Sequence, residues 1–368
     1  MDQSTKRNVI VVVAAIVVVF AGFSGYLVLK NRNASSLPSI SLDQAETVII
    51  HNANGTNTSL NLSSSNSFVY VPNIDHGQLV INQSLHRIVS LVPSVTVTLY
   101  GLNAYYNTVV GVDQYSTYPS PPLGVQVINI QLSSLPVEDV ANLSPDAVMS
   151  TSGYFTTQVI NQIVNVLNIP FFVFNPNNMS QIEQQNIQLG MLTGTFQNAL
   201  HINTWMNTNL AILHNDTERI PGQPITVFYD LGPGSTGLYT AGNGTFIDQI
   251  FSLVHLKNVV NQSGYPELSP SQIENLKPDW ILLDQYYNQS NFNQSVPGYL
   301  SSIHDNATRI ANDSFLNEND FRTIYAAFWM GSQFYPDYIS LANVTPFDES
   351  TGIYLNPPPQ DGVNGTAQ

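Results

Sequence analysis

The 368-residue chain contains no cysteine. That excludes a disulfide framework, a thiolate nucleophile and any metal site built on thiolates. Charge is scarce as well. Asp, Glu, Lys and Arg make up 10% of the residues, against roughly a quarter in ordinary soluble proteins. Basic residues are the rarer kind, with 10 Lys plus Arg against 25 Asp plus Glu and a net charge of −15. That balance argues against a nucleic-acid partner, because phosphate backbones are held by Lys and Arg. Asn, Gln, Ser, Thr and Tyr must supply the polar surface instead. Two settings fit such a surface. One is an acidic exterior, where ion pairs fail as carboxylates protonate; the other is a coat of glycans, which needs few charges.

Catalytic signatures are missing too. The histidines at 51, 76, 86, 201, 214, 255 and 304 form no HExxH or other close metal pair, so no metal site is expected. No G-x-S-x-G nucleophile turn occurs. Neighbouring acids such as Glu138 and Asp139 point in different directions on a helix and make no acid/base pair. GNGTF at 242–246 is Gly-rich but lacks the Lys of a phosphate loop. It reads as a turn before a helix, with Thr245 as N-cap and Asp248 favouring the helix N-terminus. No catalytic residue is assigned, and the chain is not expected to be an enzyme.

What is present begins with Val9 to Leu29, a run free of charged residues. At about 1.5 Å per residue it would span a hydrocarbon core of roughly 30 Å. It reads as a retained transmembrane anchor, with a cleaved signal peptide as the rival. Either way the bulk is expected outside; with the anchor retained, the expected location is the cell membrane, single-pass, with the bulk extracellular. About sixteen Asn-x-Ser/Thr sequons follow the run. Asn33, Asn54, Asn82, Asn142, Asn215, Asn243, Asn288 and Asn343 are the candidate sites for N-linked glycans. An Asn-, Ser- and Thr-rich composition also makes some sequons by chance.

Along the chain, 1–8 reads as a cytoplasmic tip, 9–29 as the anchor and 30–85 as an Asn/Ser-rich stalk with short strands. From there the pattern changes. RIVSLV ends at Pro93-Ser94 and feeds a helix through Leu102; NTVVGVD and VQVINI are further short apolar runs. Strands separated by helix-length segments predict a mainly parallel α/β sheet. An internal repeat divides the chain into related halves. VEDVANLSPDAVMSTSGY at 137–154 and SQIENLKPDWILLDQYY at 271–287 both read as amphipathic helix, Leu-x-Pro-Asp, buried strand and aromatic-tipped loop. Proline ends each helix, and the Asp can satisfy backbone donors at the turn. The expected fold class is therefore α/β, with two lobes at 86–179 and 220–345, and a Pro/Gly-rich tail at 346–368. One long helix over 180–219 joins the lobes, with Gly190 and Gly194 loosening its first part.

Aromatic residues collect where strands end. Tyr115, Tyr118, Tyr154, Phe155, Tyr229, Tyr286 and Tyr287 follow apolar runs, and Trp329, Phe334 and Tyr335 come late. Open α/β sheets bind ligands beyond the carboxyl ends of their strands. Tyr and Trp offer a flat apolar face and a polar tip, which suits a large, partly polar ligand. Ordinary half-buried loop aromatics are the plain alternative for any one of them.

Together these blocks resemble the substrate-binding proteins of ABC importers for cobalamin, ferric siderophores and haem. RIVSLVPSVT with VVGVDQYSTYP, VEDVANLSPDAVM, GNGTFIDQIFSLVHLKNVV and GYPELSPSQIENLKPDWILL stand in that family's order over about 87–336. The resemblance implies two lobes around a bridging helix and a metal chelate held between them. Delivery to a membrane permease with its ATPase is also implied, with no chemistry done. Ligand positions carried over by block are Tyr115, Tyr118, Gln131, Thr151 to Tyr154 with Ser152, Tyr229, Tyr239, Tyr265, Asp284 to Tyr287, and Trp329. Permease docking falls to Glu138 in the first lobe. In the second, Ser271 stands at the matching place, and Glu267 or Glu274 could substitute. Arginine, which suits anionic chelates, is scarce; Arg309 and Arg322 are the late candidates. A corrinoid or a neutral iron chelate is favoured over an anionic one, and haem could take a tyrosine axial ligand. A structural or adhesive cell-surface glycoprotein on the same fold is the competing reading.

Overall fold

In a computed structural model of the chain, residues 42–52, 54–72, 78–131, 134–284, 296, 308–311 and 316–347 are described. The first lobe is built on β6 (Ile88–Ser90), β7 (Val109–Asp113), β8 (Gln126–Ile128), β9 (Ala147–Ser150) and β10 (Phe171–Val173). They lie in the order β10-β9-β6-β7-β8, all parallel. Alternation explains why both faces are covered. Val89, Val148, Phe171 and Val173 pack on one side, and Ile88, Met149, Phe172 and Phe174 on the other. The second lobe repeats the plan with β11 (Ile225–Pro233), β15 (Trp280–Asp284) and β16 (Thr308–Ala311) in parallel. β13 (Leu256–Asn258) lies parallel to the start of β11, and β12 (Leu238–Thr240) and β14 (Glu267–Leu268) add an antiparallel edge.

The repeat seen in the sequence is a repeat in structure. Helix α3 (Val137–Asn142) leads into β9, and α8 (Pro270–Leu276) leads into β15. Ser144 and Lys277, the residues before each Pro-Asp, both take left-handed backbone angles, φ 45° and 48°. Each Asp then pins the start of the neighbouring strand. Asp146 accepts from the backbone N–H groups of His86 (2.8 Å) and Arg87 (2.9 Å). Asp279 accepts from the Thr226 N–H (2.8 Å) and hydroxyl (2.6 Å).

Two expectations need correction. The expected long helix over 180–219 is two helices, α5 (Met179–Thr193) and α6 (Phe196–Thr217). Asn178 caps the start of α5, and Gly194 at φ 74° ends it. Glycine takes that left-handed angle without the steric cost of a Cβ. The pair folds back on itself: Asn186 donates to Asn203, and a Cβ on Gly190 would lie 2.8 Å from that of Ala199. The 22-residue α6 is the spanning element, roughly 33 Å long. Its buried apolar stripe, Ala199, Ile202, Trp205, Met206 and Leu213, belongs to an apolar core that runs through both lobes.

The stalk is the second. Its described part is folded against the first lobe. β2 (Thr47–His51), β3 (Asn57–Asn61) and β5 (Gln78–Ile81) form a three-stranded sheet. Gln188 of α5 holds it, donating to the Asn61 carbonyl (2.8 Å) and accepting from Ser65 (2.5 Å). β4 (Phe68–Tyr70) joins the edge of the seven-stranded sheet antiparallel to β10, and β1 (Gln44–Ala45) joins β4. Val48, Ile50, Leu60, Leu62, Val69 and Val71 are all buried. They fall at alternate positions, 48/50, 60/62 and 69/71, so each segment turns one face inward.

Candidate functional site

Three of the five parallel strands of the first lobe, β6, β7 and β9, end on buried polar residues: Ser90, Asp113 and Ser150. Helix α1 (Pro93–Gly101) starts beside them, with Pro93 at its first turn. Its Thr96 hydroxyl reaches Ser90 (2.8 Å) and Ser116 (3.0 Å). Ser116 in turn donates to Asp113 (2.6 Å), which also accepts from the Tyr115 N–H (2.8 Å). Burial pushes the Asp113 carboxyl up to about 6, against the pull of these hydrogen bonds.

Opposite lies the segment 316–322 of the second half. Asn319 donates to the Pro176 carbonyl (2.6 Å), and a Cβ on Gly101 would meet the Phe321 ring at 2.6 Å. The two halves therefore touch here. Buried Arg322 donates to both oxygens of Asp320 and to Glu318. Its guanidinium stands 5.6 Å over the Tyr118 ring, a cation–π arrangement. Burial alone would lower the guanidinium's affinity for its proton, but Asp320 and Glu318 hold it above its ordinary value. Burial pushes Glu318 up to about 7; Arg322 pulls it back, while Asp320 and Asp113 add to the rise.

The predicted site residues divide by place. Tyr115, Tyr118 and Tyr154 gather at this junction. Tyr154 is raised first by burial, then by Asp113, Glu318 and Tyr115. Tyr118 packs edge-on against Tyr100 at 5.9 Å, and Tyr325, pushed up to about 12 by burial, feels Tyr118 next. Tyr229 reaches the same segment through its hydroxyl, 3.4 Å from Asn317, but its ring is buried against Phe251. Trp329 is a core residue of α9 (Thr323–Phe334). Tyr239 and Tyr265 are half-buried; Tyr239 lies on β12, between β11 and β14, paired with Glu267. Gln131 is exposed in a bridge to Ser134. Tyr286 and Tyr287 lie outside the described residues, as do Asn33 and Asn288. The sequon residues Asn54, Asn82, Asn142, Asn215, Asn243 and Asn343 are exposed.

Ser152 sits elsewhere. Its N–H and the Thr151 hydroxyl both donate to the Asn175 side chain (3.0 and 2.8 Å). The loop they belong to lines a pocket of about 190 Å³ inside the first lobe. Of the docking acids, Glu138 and Glu274 are exposed on α3 and α8. Glu267 is committed: it accepts from the N–H groups of Thr236 and Gly237 and from Ser235. Burial would raise its carboxyl, but these bonds, led by Thr236, hold it below its usual value. Among the described residues no cluster of His, Asp and Glu is placed to hold a metal ion. Sequence reasoning missed Asp113, Glu318 and Asp320. The 318/320/322 spacing of two acids and an arginine was the available signal.

A sequence family described as periplasmic binding protein matches residues 88–297, more than half of the chain. No curated protein matches the chain. Several solved structures share the fold. The periplasmic heme-binding protein HutB of Vibrio cholerae is 20% identical, with a TM-score of 0.59 over 68% of this chain and 99% of its own. The periplasmic vitamin B12 binding protein BtuF of Vibrio cholerae is 21% identical, TM-score 0.56, over 67% and 96%. The periplasmic heme-binding protein RhuT from Roseiflexus sp. RS-1, in apo form, is 20% identical, TM-score 0.58, over 68% and 98%. These findings correct the expected single-pass cell-membrane location with an extracellular bulk. The matched family is periplasmic, and among the described residues no helix is long and apolar enough to cross a membrane. The apolar run at 9–29 lies outside the described residues. On the match over 88–297 and the two-lobed α/β architecture, the chain belongs to the periplasmic binding protein family.

Proposed function

We propose that the chain captures a metal chelate at the inter-lobe junction and delivers it to an ABC permease. The family consists of binding components of transport rather than enzymes, and the similar structures carry names for haem and vitamin B12 binding. The ligand would rest on Tyr115, Tyr118 and Tyr154, with Asp113 beneath. Exposed Glu138 and Glu274, on the repeated helices of the two lobes, would meet the permease.

The observation that carries the ligand class is charge. Asp113, Glu318 and Asp320 surround the junction, and Arg322 is already engaged by two of them. A carboxylate- or catecholate-rich chelate would meet more acid than base there. A neutral or cationic chelate, a corrinoid or a ferric hydroxamate, fits better. Tryptophan-quenching titrations at pH 7.5 with cyanocobalamin, a neutral ferric trihydroxamate, haem and an anionic ferric triscatecholate test this reading. The neutral ligands should bind more tightly. Preference for the triscatecholate would overturn the charge argument, and no binding by any of them would overturn the function.

A further inference from the structure

We infer that the first lobe carries a second binding pocket, for a single aromatic ring bearing a hydrogen-bonding substituent, at the carboxyl end of β9. It is independent of what the inter-lobe junction binds. All residues lining this pocket fall between 68 and 173, so none comes from the second lobe. Phe68 and Tyr70 supply one wall. They stand at alternate positions of β4 and so share a face of the sheet. β4 pairs with β10, setting Tyr70 opposite Phe171 and Phe68 opposite Val173. Phe155 closes the space from the loop that follows β9.

The aromatic residues already meet one another in edge-on and tilted pairs. Phe68 and Tyr70 are 5.1 Å apart at 90°, Phe155 and Phe171 6.1 Å at 85°, and Tyr70 and Phe171 6.5 Å at 55°. A further ring would add contacts of the same kind, which favour aromatic over saturated guests. Size sets the guest. A dry cavity of about 150 Å³ holds a benzene, and this pocket is about 190 Å³. One ring with a small substituent fits; a bare hydrocarbon does not complete the site. Ser152 and Thr157, both hydroxyl-bearing, are among the lining residues. Thr157 is the first residue of α4 (Thr157–Asn161), whose start is capped by Thr156. Asn175 fixes the loop by accepting from Thr151 and Ser152. Gly153, at φ 81°, turns it without a side chain that would fill the pocket. Phe68 and Tyr70 precede the 88–297 region that the family shares, so this wall is supplied by the chain's own N-terminal segment.

The test uses the full chain and phenol as the probe, with cyclohexanol as the saturated control, in calorimetric and saturation-transfer NMR titrations. Phenol should saturate one site, and cyclohexanol should bind roughly tenfold more weakly or not at all. Ser152→Phe should fill the pocket and abolish phenol binding. Phe68→Leu keeps apolar bulk but removes an edge-on partner, and should weaken phenol several-fold even if the first variant fails to fold. Failure of phenol to saturate the wild-type chain would overturn the inference. So would equal binding of cyclohexanol, or unchanged phenol affinity in a folded Phe68→Leu variant.

Discussion

Replacing Asp113 by asparagine should stabilise the protein at neutral pH and lose that advantage in acid. Asp113 is 1% exposed, and burial lifts its carboxyl from 3.8 to about 6. Because the folded-state value is raised, the folded chain binds the proton more tightly than the unfolded chain. Ionised Asp113 therefore costs no stability well below 3.8, a growing amount between 3.8 and about 6, and its full amount above. At about 1.4 kcal/mol per pH unit, the full cost is about 3 kcal/mol. The neutral amide of the Asp113→Asn variant carries no such cost and can keep the local bonds. The amide carbonyl can take the Tyr115 N–H, while the amide NH2 donates to Ser116, whose contact with Thr96 can run in either direction. Urea unfolding of both proteins at pH 4, 5.5 and 7.5 gives the difference in stability. It should move in favour of the variant by about 2–3 kcal/mol from pH 4 to pH 7.5. A difference that is flat with pH, or that moves against the variant, would refute the assignment of Asp113 as a buried, destabilising carboxylate.

Further outcomes follow from the same geometry. Arg322→Met leaves Glu318 and Asp320 without their counter-charge and should cost about 3–5 kcal/mol. The loss should shrink at pH 5, where Glu318, raised towards 7, takes up a proton; thermal unfolding at pH 5 and 8 checks both. Asp146→Ala and Asp279→Ala should each cost about 1–2 kcal/mol in urea unfolding, because each carboxylate pins a strand start in its own lobe. A clear effect in one lobe only would count against their equivalence. Gly242→Ala would place a Cβ 1.9 Å from the Gln262 carbonyl oxygen. It should lower stability by more than about 3 kcal/mol, read as a fall in the unfolding midpoint.

Local grammar carried much of the fold. The Leu-x-Pro-Asp repeat marked both lobes, because proline ends a helix and the following carboxylate needs backbone donors. GNGTFID marked a capped helix. Thr245 accepts from the Asp248 N–H, and Asp248 accepts in turn from Gly244. The break between α5 and α6 was less legible, since a glycine inside an apolar periodicity announces a left-handed angle only once the two helices meet. Residues 42–81 hid their core among Asn and Ser, and their burial depends on partners far along the chain, such as Gln188. The aromatic strand ends pointed to the junction through Tyr115, Tyr118 and Tyr154. The same reasoning could not separate them from Trp329, whose burial within α9 is decided by its tertiary neighbours. The acid and arginine cluster was hardest to read, because Glu318, Asp320 and Arg322 acquire their meaning only against Tyr118 and Asp113 from the other half.

The central claim is that the aromatic junction holds the chelate. It is tested most directly by calorimetric titration of the double variant Tyr115→Ala, Tyr154→Ala beside the wild-type chain, using the chelate that the wild type binds best. The account predicts at least a roughly tenfold loss of affinity, about 1.4 kcal/mol, in a variant whose circular dichroism matches the wild type. Undiminished affinity in that folded variant would place the ligand elsewhere and contradict the account.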